Sequence, residues 1–163
     1  MNHLYLIAED DGDTQVLVKR AFLKAGLDVP IQFVNDGTET LDYLFGKGRF
    51  KDRSEFPFPA ILLLDFSMPR MNGLEVIKAI RSDSSALKRL VVVMFSSTVD
   101  ESQIEKMYEA GVNSYVEKPS DFNELVHAVA CIHQYWFGCN HFPYCSPTGI
   151  VRPNKKHRPP VRT

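Results

Sequence analysis

Apolar residues along this chain gather in five short runs: LYLIA (4–8), PIQFV (30–34), AILLL (60–64), LVVVMF (90–95) and VNSYV (112–116). In AILLL and LVVVMF they are consecutive rather than alternate, the pattern of a strand covered on both faces. Between the runs the spacing lengthens to that of a helix. Residues 14–25 place Leu17, Ala21 and Ala25 on one face, 37–45 place Leu41, Leu44 and Phe45, and 73–81 place Val76, Ile77 and Ile80. Residues 99–110 follow with Ile104, Met107 and Tyr108, and 121–137 with Phe122, Leu125, Val126, Val129, Ile132 and Trp136. Asp121 with Glu124 three positions on reads as a capping box for the last helix, and Gly138 as its stop. Strand and helix alternate five times. This predicts an α/β fold, a (βα)5 doubly wound parallel sheet of five strands in a three-layer sandwich, with right-handed crossovers.

Two stretches fall outside the alternation. GKGRFKDRSEFPFP (46–59) is longer than the ~2–6 residues usual between such units, and reads as a disordered loop or a partner-facing feature. From Cys139 onward apolar periodicity ends and five of the ten prolines gather, so residues 1–138 read as one domain and 139–163 as a poorly ordered, basic tail. That tail changes how the charge is understood. The formal net charge is −1, but residues 138–163 hold five Lys/Arg and no acid, leaving residues 1–137 at −6. A folded part of that sign does not suit nucleic acid. No apolar run approaches the ~20 residues of a membrane span, and the N-terminus turns acidic where a signal peptide stays apolar, so a soluble cytoplasmic protein is expected. Three cysteines, Cys131, Cys139 and Cys145, suggest no disulfide framework.

The candidate chemistry lies at the ends of the predicted strands. In parallel α/β sheets ligands bind in the crevice at the carboxyl ends of the strands. The third run delivers Asp65 there, before Pro69 and Gly73 turn the chain away; the first delivers Glu9 and Asp10. Taken singly, each acid could equally be a solvated group or a helix cap, and Asp13 suits the cap of the first helix. If the first and third strands are neighbours, three carboxylates meet, and either one is protonated or a cation sits among them. Oxygen ligands without His or Cys suit Mg2+, with Mn2+ as a substitute. The fourth strand ends in Ser96, Ser97 and Thr98, and the fifth is followed by Lys118 and Pro119. Acids, acid, hydroxyls and lysine at successive strand ends form a pocket for phosphoryl transfer to a carboxylate.

These segments, LIAEDD, LLLDFSMPRMNG, VVVMFSST and AGVNSYVEKP, resemble the response-regulator receiver domain, a CheY-like, flavodoxin-like family, over residues 3–137. The resemblance implies that Asp65 is the phosphoacceptor and that Glu9, Asp10, Asp65 and the backbone carbonyl of Ser67 hold the metal. It also implies that Ser96 is the switch hydroxyl, Tyr115 the switch aromatic and Lys118 the phosphoryl-binding lysine, with Ser67 and Thr98 tuning hydrolysis. DYLFGKGRF, the polar connection and the HQYW end of the last helix resemble the single-domain regulators associated with bacteriophytochromes and hybrid or sensor histidine kinases. The implied partners are a sensor histidine kinase or phosphotransfer domain, an unidentified downstream protein, and a second copy meeting the face of the fourth helix, fifth strand and fifth helix. No membrane or nucleic-acid partner is implied. Two positions depart from the family: Ser rather than the commoner Thr at 96, and Phe95 where the subgroup often has Thr.

Four other readings compete. A dehalogenase-type phosphotransferase would need a second acid two residues after Asp65, where Ser67 stands; the protein is therefore expected to be no enzyme beyond acting on its own phosphoryl group. A flavin phosphate would be repelled by EDDGD. A receiver-like module that binds partners without phosphate keeps the same residues and is separated only by assay. Cys139, His141 and Cys145 with His133 match no common zinc spacing.

Overall fold

The computed structural model of the protein describes residues 4–83, 86–97 and 100–142. The five predicted strands form one parallel sheet: β1 (Tyr5–Ala8), β2 (Ile31–Val34), β3 (Ile61–Leu64), β4 (Val91–Ser96) and β5 (Ser114–Glu117), in the order β2-β1-β3-β4-β5. Tyr5 pairs with Ile31 on one side and Ile61 on the other, so β1 and β3 run in register as neighbours and end together. The helices are α1 (Gly12–Lys24), α2 (Gly37–Phe45), α3 (Gly73–Ser82), α4 (Glu101–Glu109) and α5 (Phe122–His133).

Strand alternation sorts the interior into two cores. Leu6, Ala8, Leu62, Leu64, Val92 and Met94 face α2, α3 and α4, whereas Tyr5, Ile7, Ile61, Leu63, Val93 and Phe95 face α1 and α5. Every residue of β1, β3 and β4 is buried, which is why these strands are apolar throughout apart from Ser96, the last residue of β4. Among the described residues no helix is long and apolar enough to cross a membrane.

The helical faces differ from expectation in places. In α1 the buried residues are Val18, Ala21 and Phe22, while Leu17 is 42% exposed. Phe22 packs edge-on against Tyr5 at 4.9 Å, and this contact with the sheet, rather than periodicity alone, sets the rotation of the helix. In α2, Tyr43 and Leu44 are buried and Phe45 lies outside. Tyr108 of α4 is also exposed, and its hydroxyl accepts the Tyr115 N–H at 3.1 Å. α5 does not stop at Gly138. It widens after His133 into a π-helical turn, Gln134–Cys139, and Phe142 packs on Phe137 at 4.8 Å. The rest of the tail, 143–163, lies outside the described residues.

The 46–59 connection is neither loose nor formless. It opens with a 3-10 turn, Gly48–Phe50, and buries Phe50 among Tyr43 and Phe56, at 5.0 and 5.1 Å. Arg53 turns back on the end of α2, donating to the carbonyls of Tyr43 and Leu44 at 2.8 Å each and to that of Phe56 at 3.2 Å. The last carbonyls of a helix have no partner within it, and a guanidinium fork satisfies two of them. The Tyr43 hydroxyl donates to Pro57 O at 2.9 Å, and burial pushes its pKa up to about 12.

Candidate functional site at the strand ends

β1 leads straight into Glu9, which is held on both sides. Its N–H donates to Val34 O at 3.0 Å, and its carbonyl accepts from Gln15 Nε2 at 2.6 Å. The Asp65 N–H donates to Ala8 O at 3.1 Å, which locks the end of β3 to the end of β1. Both side chains are nearly buried, at 4% for Glu9 and 8% for Asp65, while Asp10 is exposed. Carboxylate oxygens of Glu9, Asp10 and Asp65 all lie within 4.8 Å of one another. Asp11, rather than Asp13, caps α1: its carboxylate accepts the N–H groups of Asp13 at 2.7 Å and Thr14 at 3.2 Å, which lowers its pKa.

Lys118 enters from the far side of the sheet. Its N–H donates to Ser96 O at 2.9 Å, fixing the backbone, and its ammonium pairs with the Glu9 carboxylate and stands 3.7 Å from Asp65 Oδ1. Three carboxylates and one ammonium leave the cluster with a formal excess of two negative charges. Burial pushes the Glu9 pKa up. The hydrogen bond and charge of Lys118 and the Asp11 N–H at 3.2 Å oppose this, and the neighbouring Asp65 charge adds to it. A hard divalent cation suits this donor set. All the donors are oxygens, they lie within 4.8 Å of one another, and the formal excess of negative charge is opposite and equal in size to the charge of the ion.

Ser96, the last residue of β4, is 1% exposed. Tyr115 lies opposite Met94 in the register, two pairs before the end at Ser96 and Glu117. It is partly buried against the α2/α3/α4 core, and its hydroxyl accepts from Gln103 Nε2 of α4 at 3.2 Å. Ser67 is exposed, two positions beyond Asp65. Thr98 lies outside the described residues. The structure thus brings Glu9, Asp10, Asp65 and Lys118 into one cluster, with Ser96 at the adjoining strand end and Tyr115 one layer behind.

The loop from β3 to α3 holds what sequence reasoning missed. Arg70 has φ of 65°, and Met71 N–H donates to Pro69 O at 2.7 Å, a tight three-residue turn in a region that non-glycine residues avoid. The turn is braced by an ion pair from Arg70 to Asp36, whose carboxylate is buried and also caps α2 through the Glu39 N–H at 2.8 Å. Nothing local signals this pair, because 34 positions separate its partners. Gly73, seen in sequence only as a breaker, starts α3 with its N–H on Phe66 O at 2.9 Å. A Cβ there would stand 2.7 Å from the carbonyl oxygen of Asp65. Asn72 and Glu75 complete a capping box around it.

Residues 5–130 match the family described as the response regulator receiver domain. Among solved structures, the chain is similar to response regulator RPA3017 in red light signaling of R. palustris, at 34% identity and a TM-score of 0.83, with 86% of this chain and 98% of that one covered. It is also similar to the phosphorylated cyanobacterial phytochrome response regulator RcpA, at 28% identity, TM-score 0.80 and coverage of 88% and 100%. A third is the Mn2+-bound form of the response regulator Rcp1 from Synechocystis sp., at 26% identity, TM-score 0.77 and coverage of 87% and 99%.

Proposed function

Because this chain belongs to the response-regulator receiver family, we propose that it is a single-domain response regulator that takes a phosphoryl group on Asp65 and signals by protein contact. The observation that carries this reading is the Lys118 ammonium seated between Glu9 and Asp65 at the β1/β3 crevice. In the proposed step a carboxylate oxygen of Asp65 attacks the phosphorus of a phosphohistidine on a sensor kinase or phosphotransfer partner. The P–O bond forms as the P–N bond breaks, and the imidazole leaves. The neighbour RcpA is a phosphorylated protein, which supports the same chemistry here.

Glu9, Asp10, Asp65 and the Ser67 carbonyl would hold Mg2+, or Mn2+ as in the Rcp1 neighbour, and such an ion neutralises charge on phosphoryl oxygens. Lys118 is the protein's own counter-charge. Its ammonium, partly committed to Glu9, turns to the phosphoryl oxygens once Asp65 carries them. Ser96 supplies a hydroxyl to the same oxygens, and Ser67 and Thr98 are assigned to tuning hydrolysis. Any hydrolysis acts on the protein's own phosphoryl group and not on an outside substrate.

The output face is α4, β5 and α5. Tyr115 is only half-buried and is held by the Gln103 amide, so movement of Ser96 toward the phosphoryl group trades one packing of that ring for another. A downstream protein or a second copy reads this face, in the cytoplasm. The deciding measurement is intact mass after incubation with Mg2+ and acetyl phosphate, beside Asp65→Asn. One added phosphoryl group in the parent and none in the variant is expected. No adduct in either, where a control receiver labels, overturns the reading and leaves a phosphate-independent binding module.

A further inference from the structure

On the outer face of α5, away from the acidic crevice, His127 Nε2 and Cys131 Sγ lie 3.5 Å apart, and both residues are exposed. They are four positions apart on one helix, the spacing that stacks two side chains on the same face. Zinc takes thiolate at ~2.3 Å and imidazole at ~2.0–2.1 Å in tetrahedral geometry, which sets the two donor atoms about 3.5 Å apart. The two atoms are within hydrogen-bond distance, and the same separation matches the bite of a tetrahedral ion.

We propose that His127 and Cys131 form a bidentate site for a borderline-soft divalent cation of the Zn2+ class. The helix keeps the two side chains in place, because its opposite face, Leu125, Val129 and Ile132, is buried in the α1/α5 core. One nitrogen and one sulfur select against Mg2+, which prefers oxygen, so this site and the crevice do not compete for the same ion. Binding deprotonates the thiol: the S–H proton goes to solvent, the sulfur lone pair and the Nε2 lone pair go to the metal, and Nδ1 keeps the ring proton. Water fills the remaining positions. The two ligands belong to neither the tail cysteines nor the phosphoryl chemistry, and the inference does not depend on Asp65 being phosphorylated.

The test titrates the full-length, reduced protein with Co2+ as a spectroscopic stand-in for Zn2+. A thiolate-to-cobalt charge-transfer band with intense tetrahedral d–d bands is expected, removed by added Zn2+. Oxygen ligation in the crevice gives no thiolate band, so Asp65→Asn leaves the signal intact, as does Cys139→Ser. Cys131→Ser and His127→Ala alter exposed side chains and are expected to fold as the parent does by circular dichroism. Cys131→Ser is expected to lose the charge-transfer band, and His127→Ala the tetrahedral spectrum. As a second readout, Zn2+ is expected to protect Cys131 from alkylation, followed by peptide mass, in the parent but not in His127→Ala. A parent without the band, a band that survives Cys131→Ser, or equal protection in both proteins overturns the site.

Discussion

Alanine at position 73 puts a methyl group where the backbone that carries Asp65 passes. The new Cβ would stand 2.7 Å from the Asp65 carbonyl oxygen and 3.1 Å from both Phe66 Cα and Met94 Cε, where ordinary contact begins at 3.4 Å. The Met94 end can rotate aside, but the carbonyl and the Cα belong to the end of β3 and must move with it, by about 0.7 Å. Forcing a methyl into packed surroundings costs about 1–3 kcal/mol. With two of the three contacts on backbone, the upper half of that range applies. Alanine's better helix propensity returns at most ~1 kcal/mol, less at a first helical position. A net loss of about 1–2 kcal/mol follows, or a fall in Tm of roughly 4–8 °C for a domain of this size. The displaced atoms carry Asp65, and misplacement of a reacting group by 1 Å can cost ~100-fold in rate, so acetyl-phosphate labelling is expected to slow about tenfold. Gly12→Ala is the control, since nothing lies within 4 Å of a Cβ there. Scanning calorimetry and timed intact mass on the three proteins decide the matter. A Gly73→Ala protein that melts and labels like the parent, or a Gly12→Ala protein that loses as much, refutes the reasoning.

Arg81 donates to Gly111 O at 2.7 Å, to Lys88 O and Leu90 O at 3.0 Å each, and to Asn113 Oδ1 at 3.0 Å, tying α3 to the segments that flank β4 and precede β5. Arg81→Ala is expected to cost ~2–4 kcal/mol at about 1 kcal/mol per bond, with little rescue by Arg81→Lys, since one ammonium cannot span four acceptors; full rescue in urea unfolding would show that charge alone matters. Glu9 gives a pH dependence in metal-free buffer. Its folded pKa is raised above 4.5, so the stability it contributes is present below that value and is lost as pH rises through the folded pKa. Measured against Glu9→Gln, which cannot ionise, the parent is expected to lose Tm as pH climbs above 4.5, and a difference independent of pH would count against burial as the dominant effect.

The strands and the acidic rim were legible because both follow from local rules. A strand covered on two faces must be apolar at every position, and a parallel sheet puts its chemistry at strand ends, so Glu9, Asp10, Asp65 and Lys118 could be placed before any contact was seen. The register of β1 against β3 then did the rest. What escaped was non-local. The buried face of α1 turns on Phe22 meeting Tyr5, Asp36 meets Arg70 across 34 positions, and Arg53 finds the end of α2 ten residues back. The His127 and Cys131 pair is half legible: four positions apart on a predicted helix, the two share a face, but their separation depends on rotamers that sequence does not set.

The connection from α2 to β3 carries Lys47, Arg49, Lys51 and Arg53 within seven residues, a segment that trypsin would be expected to open first. A protease must draw several residues into an extended strand in its cleft, and here that would lift Phe50 from its pocket and strip Arg53 from three carbonyls. The stretch is therefore expected to resist nicking, and to tolerate an inserted tag or a grafted epitope poorly. Length and polarity would nominate it for such uses, but it is part of the wall of the domain.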